Sequence, residues 1–222
     1  MTTLTHTEKL DKIEAAYSSE PWWYDIRGFF ILTFSYRSTL WNQIALFSKN
    51  IGENHLEVAI GSGTLFDIIL KWRKLLAKPK SQITAVDYSP RMLSGAIRRF
   101  KKESYVNLEL ADVTEMKYAA AEFDTVNVAN SLHCFPDLKT AIKEIHRVLK
   151  SQGTFCGNVL LYPKEQGLLN RLSKKINEWG IKKGILYTPY YESEIRQILQ
   201  DQGFTIVYTK IGGNCFDFVA KK

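Results

Sequence analysis

The sequence predicts an α/β fold whose mostly parallel sheet is covered by helices on both faces, and three observations carry that prediction. The apolar run Leu56-Glu57-Val58-Ala59-Ile60 breaks into Gly61-Ser62-Gly63, and an amphipathic stretch follows. That is the pattern of a strand, a tight glycine-rich turn and a helix, the opening of a nucleotide-binding unit. From residue 55 onward strand-like and helix-like segments alternate, as parallel strands joined by crossovers require. Near the end, two strand-like runs are joined only by Gly212-Gly213-Asn214. A connection that short makes them antiparallel neighbours.

Taken in order, residues 7–18 are expected to be helical, with Leu10, Ile13 and Tyr17 on one face. Pro21-Trp22-Trp23-Tyr24-Asp25 interrupts, and 28–51 resumes as one long apolar helix or two shorter ones. Its Phe29, Phe30, Ile31, Phe34, Tyr36, Leu40, Trp41, Ile44 and Phe47 exceed what one buried face needs. Some of this surface should therefore meet something besides the main sheet: a partner subunit, a substrate or the lip of a pocket. Residues 1–52 read as a helical N-terminal cap, and 53–222 as the main domain.

Within that domain, 55–60 is the first strand and 65–77 the first helix. The second strand, 82–87, ends in Asp87. Ser89-Pro90 then opens a helix, with serine as N-cap and proline at the first helical position. The third strand, 106–111, runs into Asp112, and 123–129 is the fourth. Residues 138–149 are helical with Ala141, Ile145, Val148 and Leu149 in register, and 153–161 is the fifth strand. Residues 164–191 form an insertion holding a helix at 168–179. A last helix over 192–202 is stopped by Gly203, and the hairpin 204–220 closes the chain.

Composition narrows the function classes. A 222-residue chain with 45% hydrophobic and 13% aromatic residues builds one sizeable core rather than a disordered tract. Cys134, Cys156 and Cys215 are odd in number, without paired or metal-type spacing, which fits a reducing, cytoplasmic location. His6, His55 and His146 show no ligand spacing either, so no metal site is expected. No export leader is visible at the start, and the uncharged apolar run 29–36 is far too short to span a bilayer. The formal net charge of +7 is spread over helical segments: Lys71, Arg73, Lys74; Arg98, Arg99, Lys101, Lys102; and Lys174, Lys175, Lys182, Lys183. Most of these read as solvated helix faces. The charge is compatible with peripheral contact to an anionic membrane, and no nucleic-acid motif accompanies it.

Five motifs in order resemble the class I S-adenosylmethionine-dependent methyltransferases, in the group that includes the ubiquinone/menaquinone-biosynthesis C-methyltransferases. They are Leu-Glu-Val-Ala-Ile-Gly-Ser-Gly (56–63), Val-Asp-Tyr-Ser-Pro-Arg-Met-Leu (86–93), Ala-Asp-Val (111–113), the segment from Phe123-Asp124 to His133, and His-Arg-Val-Leu-Lys (146–150). The resemblance runs from about residue 54 to the end. It implies a Rossmann-like sheet of seven strands with an antiparallel C-terminal strand, S-adenosylmethionine as cofactor, and Glu57, Ala59, Gly61, Gly63, Asp87, Tyr88, Met92, Asp112, Val113 and Asn130 around it. Asp87 would accept from the ribose hydroxyls, Asp112 from the adenine amino group, and Met92 would pack on the adenine. Two departures stand out. Ala59 occupies the usual place of the first glycine, and Lys150-Ser151-Gln152-Gly153 replaces a Pro-Gly-Gly turn, a change expected to alter only a loop.

Methyl transfer from a sulfonium needs alignment and exclusion of water more than a fixed catalytic set. His133, just past the fourth strand, is the candidate base, with a pKa range suited to the task; the plainer alternative is a lining histidine. Tyr17, Tyr24, His133 and Tyr190 are expected to line the acceptor site, with Tyr187 and Tyr191 near it. The apolar cap and insertion point to a small hydrophobic or aromatic acceptor, handled by a monomer or homodimer. A nicotinamide-dependent oxidoreductase would share the opening, but Phe66 stands where its third glycine belongs and no Tyr-x-x-x-Lys pair occurs. A non-catalytic binding protein of the same fold would be expected to lose Asp87 and Asp112, and both are present.

Overall fold

The structure, a computed structural model, describes residues 28, 30–164 and 167–222, without the side chain of Leu32. The helix expected at 7–18, the interruption at 21–25, and Tyr17, Trp22, Trp23, Tyr24 and Phe29 lie outside the described residues.

The seven strands are β1 (Asn54–Val58), β2 (Gln82–Asp87), β3 (Val106–Leu110), β4 (Phe123–Val128), β5 (Leu149–Leu160), β6 (Thr205–Gly212) and β7 (Cys215–Lys221). They form one sheet in the order β3-β2-β1-β4-β5-β7-β6. β7 alone runs against its neighbours, antiparallel to both β5 and β6. β1, β4 and β7 are buried almost throughout, as strands covered on both faces must be. The edge strands β3 and β6 are largely half-buried or exposed.

Alternation along the strands divides the core into two layers. Leu56, Val58, Val126, Val128, Phe155 and Phe218 face helices α4 (Leu138–Val148) and α6 (Glu192–Asp201), meeting Ile142, Ile145, Ile195 and Leu199. Ile83, Ala85, Cys156 and Val219 face α1 (Leu40–Lys49), α2 (Thr64–Leu75) and α3 (Pro90–Phe100), meeting Phe47, Phe66, Ile69 and Phe100. Each such fully buried large side chain contributes about 1.5–3 kcal/mol.

The apolar stretch at 28–51 resolves into two pieces. A π-helical turn, Ile31–Tyr36, ends at Arg37, whose φ is +54°. α1 then starts behind Thr39, whose hydroxyl accepts from Asn42 N at 3.2 Å. Ile44 and Phe47 of α1 enter the main core, whereas Phe30, Phe34 and Trp41 stay exposed. The N-cap expected at Ser89 is present, with its hydroxyl accepting from Met92 N.

Two expectations change. The 150–153 segment lies within β5, between Leu149, which pairs with Phe123, and Thr154, which pairs with Thr125, and it is kinked at Gln152, where φ is +64°; it is a bent strand rather than a loop. Arg73 is not on a solvated face but buried, giving hydrogen bonds to Ser48 O at 2.7 Å and Pro79 O at 3.3 Å. A guanidinium can be buried because carbonyls replace its water.

Gly63 is demanded by packing. Its φ is +76°, and a β-carbon there would come within 2.6 Å of the Phe100 ring. Gly63→Ala should therefore destabilise the fold by about 2–4 kcal/mol, from overpacking plus the left-handed backbone, as measured by urea unfolding.

Candidate active site

The sheet order reverses at β1: the crossover from β1 leads to β2 on one side, while β4 lies on the other. The loops after these strands part and open a cleft above their carboxyl ends. Two cavities fill it, one of about 100 Å³ and one of about 260 Å³, and Ala59, Gly61, Ser131 and Cys134 line both.

The glycine-rich loop forms the divide. Ala59, Gly61 and Gly63 all have positive φ, at +57°, +61° and +76°. The loop is held from below: Ile60 N donates to Val86 O at 3.0 Å and Gly61 N to Asp87 Oδ2 at 2.7 Å. Arg99 ties its outer side through Ser62 O at 3.1 Å and Thr64 Oγ1 at 2.7 Å. A β-carbon on Gly61 would meet only the Met92 methyl, at 3.6 Å, so its backbone is what the cavities see. Gly63 lines neither cavity; its missing side chain makes room for α3.

The smaller cavity is lined by Asp87, Tyr88, Met92, Asp112 and Val113, with Ala59 and Gly61. Asp87 sits at the end of β2 and takes a second hydrogen bond from Ser89 N at 2.8 Å. Burial pushes its carboxyl up to about 6, against smaller lowering by the Ser89 and Gly61 amides. Asp112 Oδ1 accepts from the amide and hydroxyl of Thr114, both at 2.8 Å, fixing the turn after β3. Met92 is fully buried and gives the cavity a soft apolar wall.

The larger cavity holds Glu57, Asn130 and His133, together with residues from the π-helical turn and from α5 (Leu168–Lys182). Burial raises the Glu57 carboxyl well above its ordinary range, with a smaller lowering by the Asn127 carboxamide. The same burial, and then Arg73, bring His55 down to about 3. Their 3.2 Å contact is thus a hydrogen bond between neutral groups, not an ion pair. Asn130, at φ +56°, exchanges carboxamide hydrogen bonds with Gln43 at 2.7 and 3.0 Å, and Asn158 supports it from β5.

His133 is buried and its Nε2 lies 2.7 Å from the Tyr36 hydroxyl. Burial brings its pKa down to about 3, so the imidazole is neutral near pH 7; the pKa range expected from the sequence does not hold. Its carbonyl accepts from the amides of Tyr187 and Thr188, each at 3.1 Å. The Asn214 amide donates to Tyr36 O at 2.7 Å, and its carboxamide to Ser35 O at 2.8 Å. The C-terminal hairpin thereby clamps the N-terminal turn over the cleft. Tyr190 lines neither cavity: its backbone bridges Leu160 and Tyr162, and its ring packs on the core below. Tyr187 and Tyr191 also lie outside both linings and are well exposed. Among the described residues no cluster of His, Cys, Asp or Glu could hold a metal ion.

The segment 56–157, which carries the glycine-rich loop, Asp87, Asp112 and His133, matches the family described as "Methyltransferase domain". Over 116 residues the chain is 32% identical to a demethylmenaquinone methyltransferase of Chlamydia caviae, a match covering 51% of this chain and 47% of that protein. The chain spans about half the length of the curated relatives it matches. Among solved structures, a Haloferax volcanii methyltransferase in complex with the Trm112 activator superposes with a TM-score of 0.68 at 17% identity, over 90% of this chain and 95% of that one. Phosphoethanolamine N-methyltransferase 2 of Haemonchus contortus, solved with S-adenosylmethionine, gives a TM-score of 0.66 at 18% identity, over 82% and 52%. At these identities the likeness is one of fold.

The smaller cavity collects residues at or just past the ends of β1, β2 and β3, where the sequence placed them. The larger cavity adds Ser35, Tyr36, Gln43 and Asn177, which sequence reasoning did not single out as site residues. Asn177 did leave a trace: a carboxamide inside a helix is a poor helix former and needs a reason to be there.

Ala59 holds a left-handed backbone that glycine adopts more readily. Ala59→Gly should stabilise the domain by about 0.5–1 kcal/mol, visible as a rise in Tm of roughly 1–4 °C.

Proposed function

We propose that this chain transfers a methyl group from S-adenosylmethionine to a small, hydrophobic or aromatic acceptor by in-line displacement. The observation that carries the reading is the continuous cleft, with Asp87, Asp112 and Met92 at one end and an apolar chamber closed by Tyr36 and His133 at the other.

The residues present fit the cofactor's chemistry. Asp87 is a partly desolvated acceptor for ribose hydroxyls, and Asp112 with the Val113 amide suits the adenine edge. Gly61, Glu57 and Asn130 face the methionine end; a carboxyl kept protonated by burial gives up its proton to receive an ammonium. When bound, S-adenosylmethionine supplies a methyl carbon already activated on sulfur. The chain's own work is then to align the acceptor and keep water out. Ile31, Leu40, Ile176, Ile185 and Leu186 line the larger cavity, and Trp179, partly exposed, stands at its rim. His133 with Tyr36 forms a neutral hydrogen-bonding wall. A base of such low pKa removes protons poorly, which favours an acceptor that is already nucleophilic.

The relative named for demethylmenaquinone supports an aromatic acceptor. We read residues 1–52 as a cap over the cleft, with Tyr17 and Tyr24 as lining residues, and place the protein in the cytoplasm. No helix among the described residues is long and apolar enough to cross a membrane. α5 exposes Leu168, Leu169, Leu172 and Ile181 beside Lys174, Lys175 and Lys182, a surface suited to peripheral contact with anionic lipid.

Calorimetric titration with S-adenosylmethionine, S-adenosylhomocysteine and NAD tests the reading. Micromolar binding of the first two and none of NAD is expected; NAD binding alone would overturn it. Asp87→Asn should weaken S-adenosylhomocysteine binding about 10–100-fold. Because the Asp87 pKa is raised to about 6, the ionised acceptor is present above that pH and lost below it. Wild-type affinity should therefore fall between pH 7 and 5, by up to about tenfold per unit, and the slope should flatten in Asp87→Asn.

A further inference from the structure

α5 is built inside out. Its buried positions are Ser173, Asn177 and Gly180, while Leu168, Leu169, Leu172, Trp179 and Ile181 are exposed, Leu168 by 81%. A single exposed leucine is ordinary, but a row of them marks a surface that meets something. At 3.6 residues per turn, Leu168, Leu172 and Trp179 fall within about 40° of one another around the helix. Lys175, Lys182 and Arg171, all exposed, continue round from that stripe, and the two groups together lie across the helix from its buried residues. The π-helical turn runs alongside: the Ser173 hydroxyl donates to Phe34 O at 2.7 Å, and Arg37 Nη1 to Asn170 Oδ1 at 2.8 Å. It adds the stacked, exposed rings of Phe30 and Phe34.

Charge selects what covers this face. α5 carries Arg171, Lys174, Lys175 and Lys182 against one acid, Glu178, and Lys183 follows. The π-helical turn is uncharged and ends at Arg37. A second copy seated here by twofold symmetry would set these cations against themselves. An anionic bilayer meets both halves of the pattern. Its headgroups receive the ammonium and guanidinium groups, and the leucines and rings enter the boundary of the acyl chains. Lysine stems lie along apolar surface while their charged heads reach outward. The face also leads to the larger cavity: Trp179 belongs to the outward stripe and, with Ile176 and Gly180 of the same helix, lines that cavity.

We propose that α5 and the π-helical turn seat the protein on an anionic lipid surface with the mouth of the larger cavity against the bilayer. The consequence for the reaction rests on the reading of that cavity as the acceptor chamber. An apolar acceptor dissolved in the membrane passes from lipid to chamber without exposing its surface to water.

The test is sedimentation of the purified chain with vesicles of phosphatidylcholine, alone or mixed in equal parts with phosphatidylglycerol. S-adenosylhomocysteine binding is titrated in the same preparations. The wild type should partition onto the mixed vesicles about tenfold or more tightly than onto phosphatidylcholine, and should lose that binding as salt rises. Leu168→Gln with Leu172→Gln, and separately Lys175→Glu with Lys182→Glu, should each weaken partitioning about tenfold or more. All four positions are exposed and lie outside both cavity linings. Thermal melting and S-adenosylhomocysteine affinity should therefore stay at wild-type values in both variants. On mixed vesicles whose phosphatidylcholine is brominated in its acyl chains, tryptophan fluorescence should be quenched, and the quenching should fall in Trp179→Phe. No binding to mixed vesicles, binding unchanged in both folded variants, or quenching undiminished in Trp179→Phe overturns the proposal. A dimer in solution that either double variant disperses overturns it as well, because a second copy then covers the face. Binding of S-adenosylhomocysteine without binding to vesicles defeats this inference alone. Vesicle binding through α5 in a protein that does not bind S-adenosylhomocysteine supports the docking face and defeats the methyltransferase reading.

Discussion

The divergence of the loops that follow the paired strands β1 and β4 is the constraint on which the rest depends. The chain leaves β1 toward β2 and reaches β4 only after two further crossovers, so the loops after these adjacent strands diverge. The backbone groups at the ends of the two strands then have no strand to pair with, and a cleft remains for a ligand to fill. The Gly61 amide, donated to Asp87 at 2.7 Å, joins the rims of β1 and β2 and sets the floor where the two cavities meet.

Burying both faces of the central strands brings polar groups into dry surroundings. His55, Glu57 and Thr125 lie on β1 and β4; the first two lose their charge, and His55 Nδ1 reaches Thr125 Oγ1 at 2.8 Å. Neutral hydrogen bonds are the way a core keeps such groups without the cost of burying ions. Arg73 stays charged, and the carbonyls of Ser48 and Pro79 take the place of its water. The same desolvation raises Asp87, lowers His133 and so decides what each can do chemically.

The upper wall of the cleft is assembled from parts distant in the chain. The π-helical turn Ile31–Tyr36 is fastened by Asn214 from the C-terminal hairpin and by Ser173 and Asn177 from α5. π-Helical turns are uncommon and often mark functional positions; here one brings Ser35 and Tyr36 against the cavity together. α5 satisfies that wall with its polar residues, which leaves its leucines outside.

The sequence by itself determined the sheet, the register of glycine loop and acids, and the antiparallel close, because each depends on local chemistry. Short apolar runs, an N-cap serine before proline, and a hairpin turn too short for a crossover are properties of a few adjacent residues. The acids Asp87 and Asp112 were legible for the same reason: Asp87 ends a strand and Asp112 follows one, and each strand's end is fixed by its own pattern. Tertiary structure alone decided the chamber. Tyr36 meets His133 across 97 positions and Ser35 meets Asn177 across 142, contacts no periodicity encodes. It also decided that Gly63 serves helix packing, that Tyr190 supports the core, that Arg73 is buried and that His133 is neutral. Each of these depends on which surfaces the folded chain removes from water, and that is set by the packing of all its elements together.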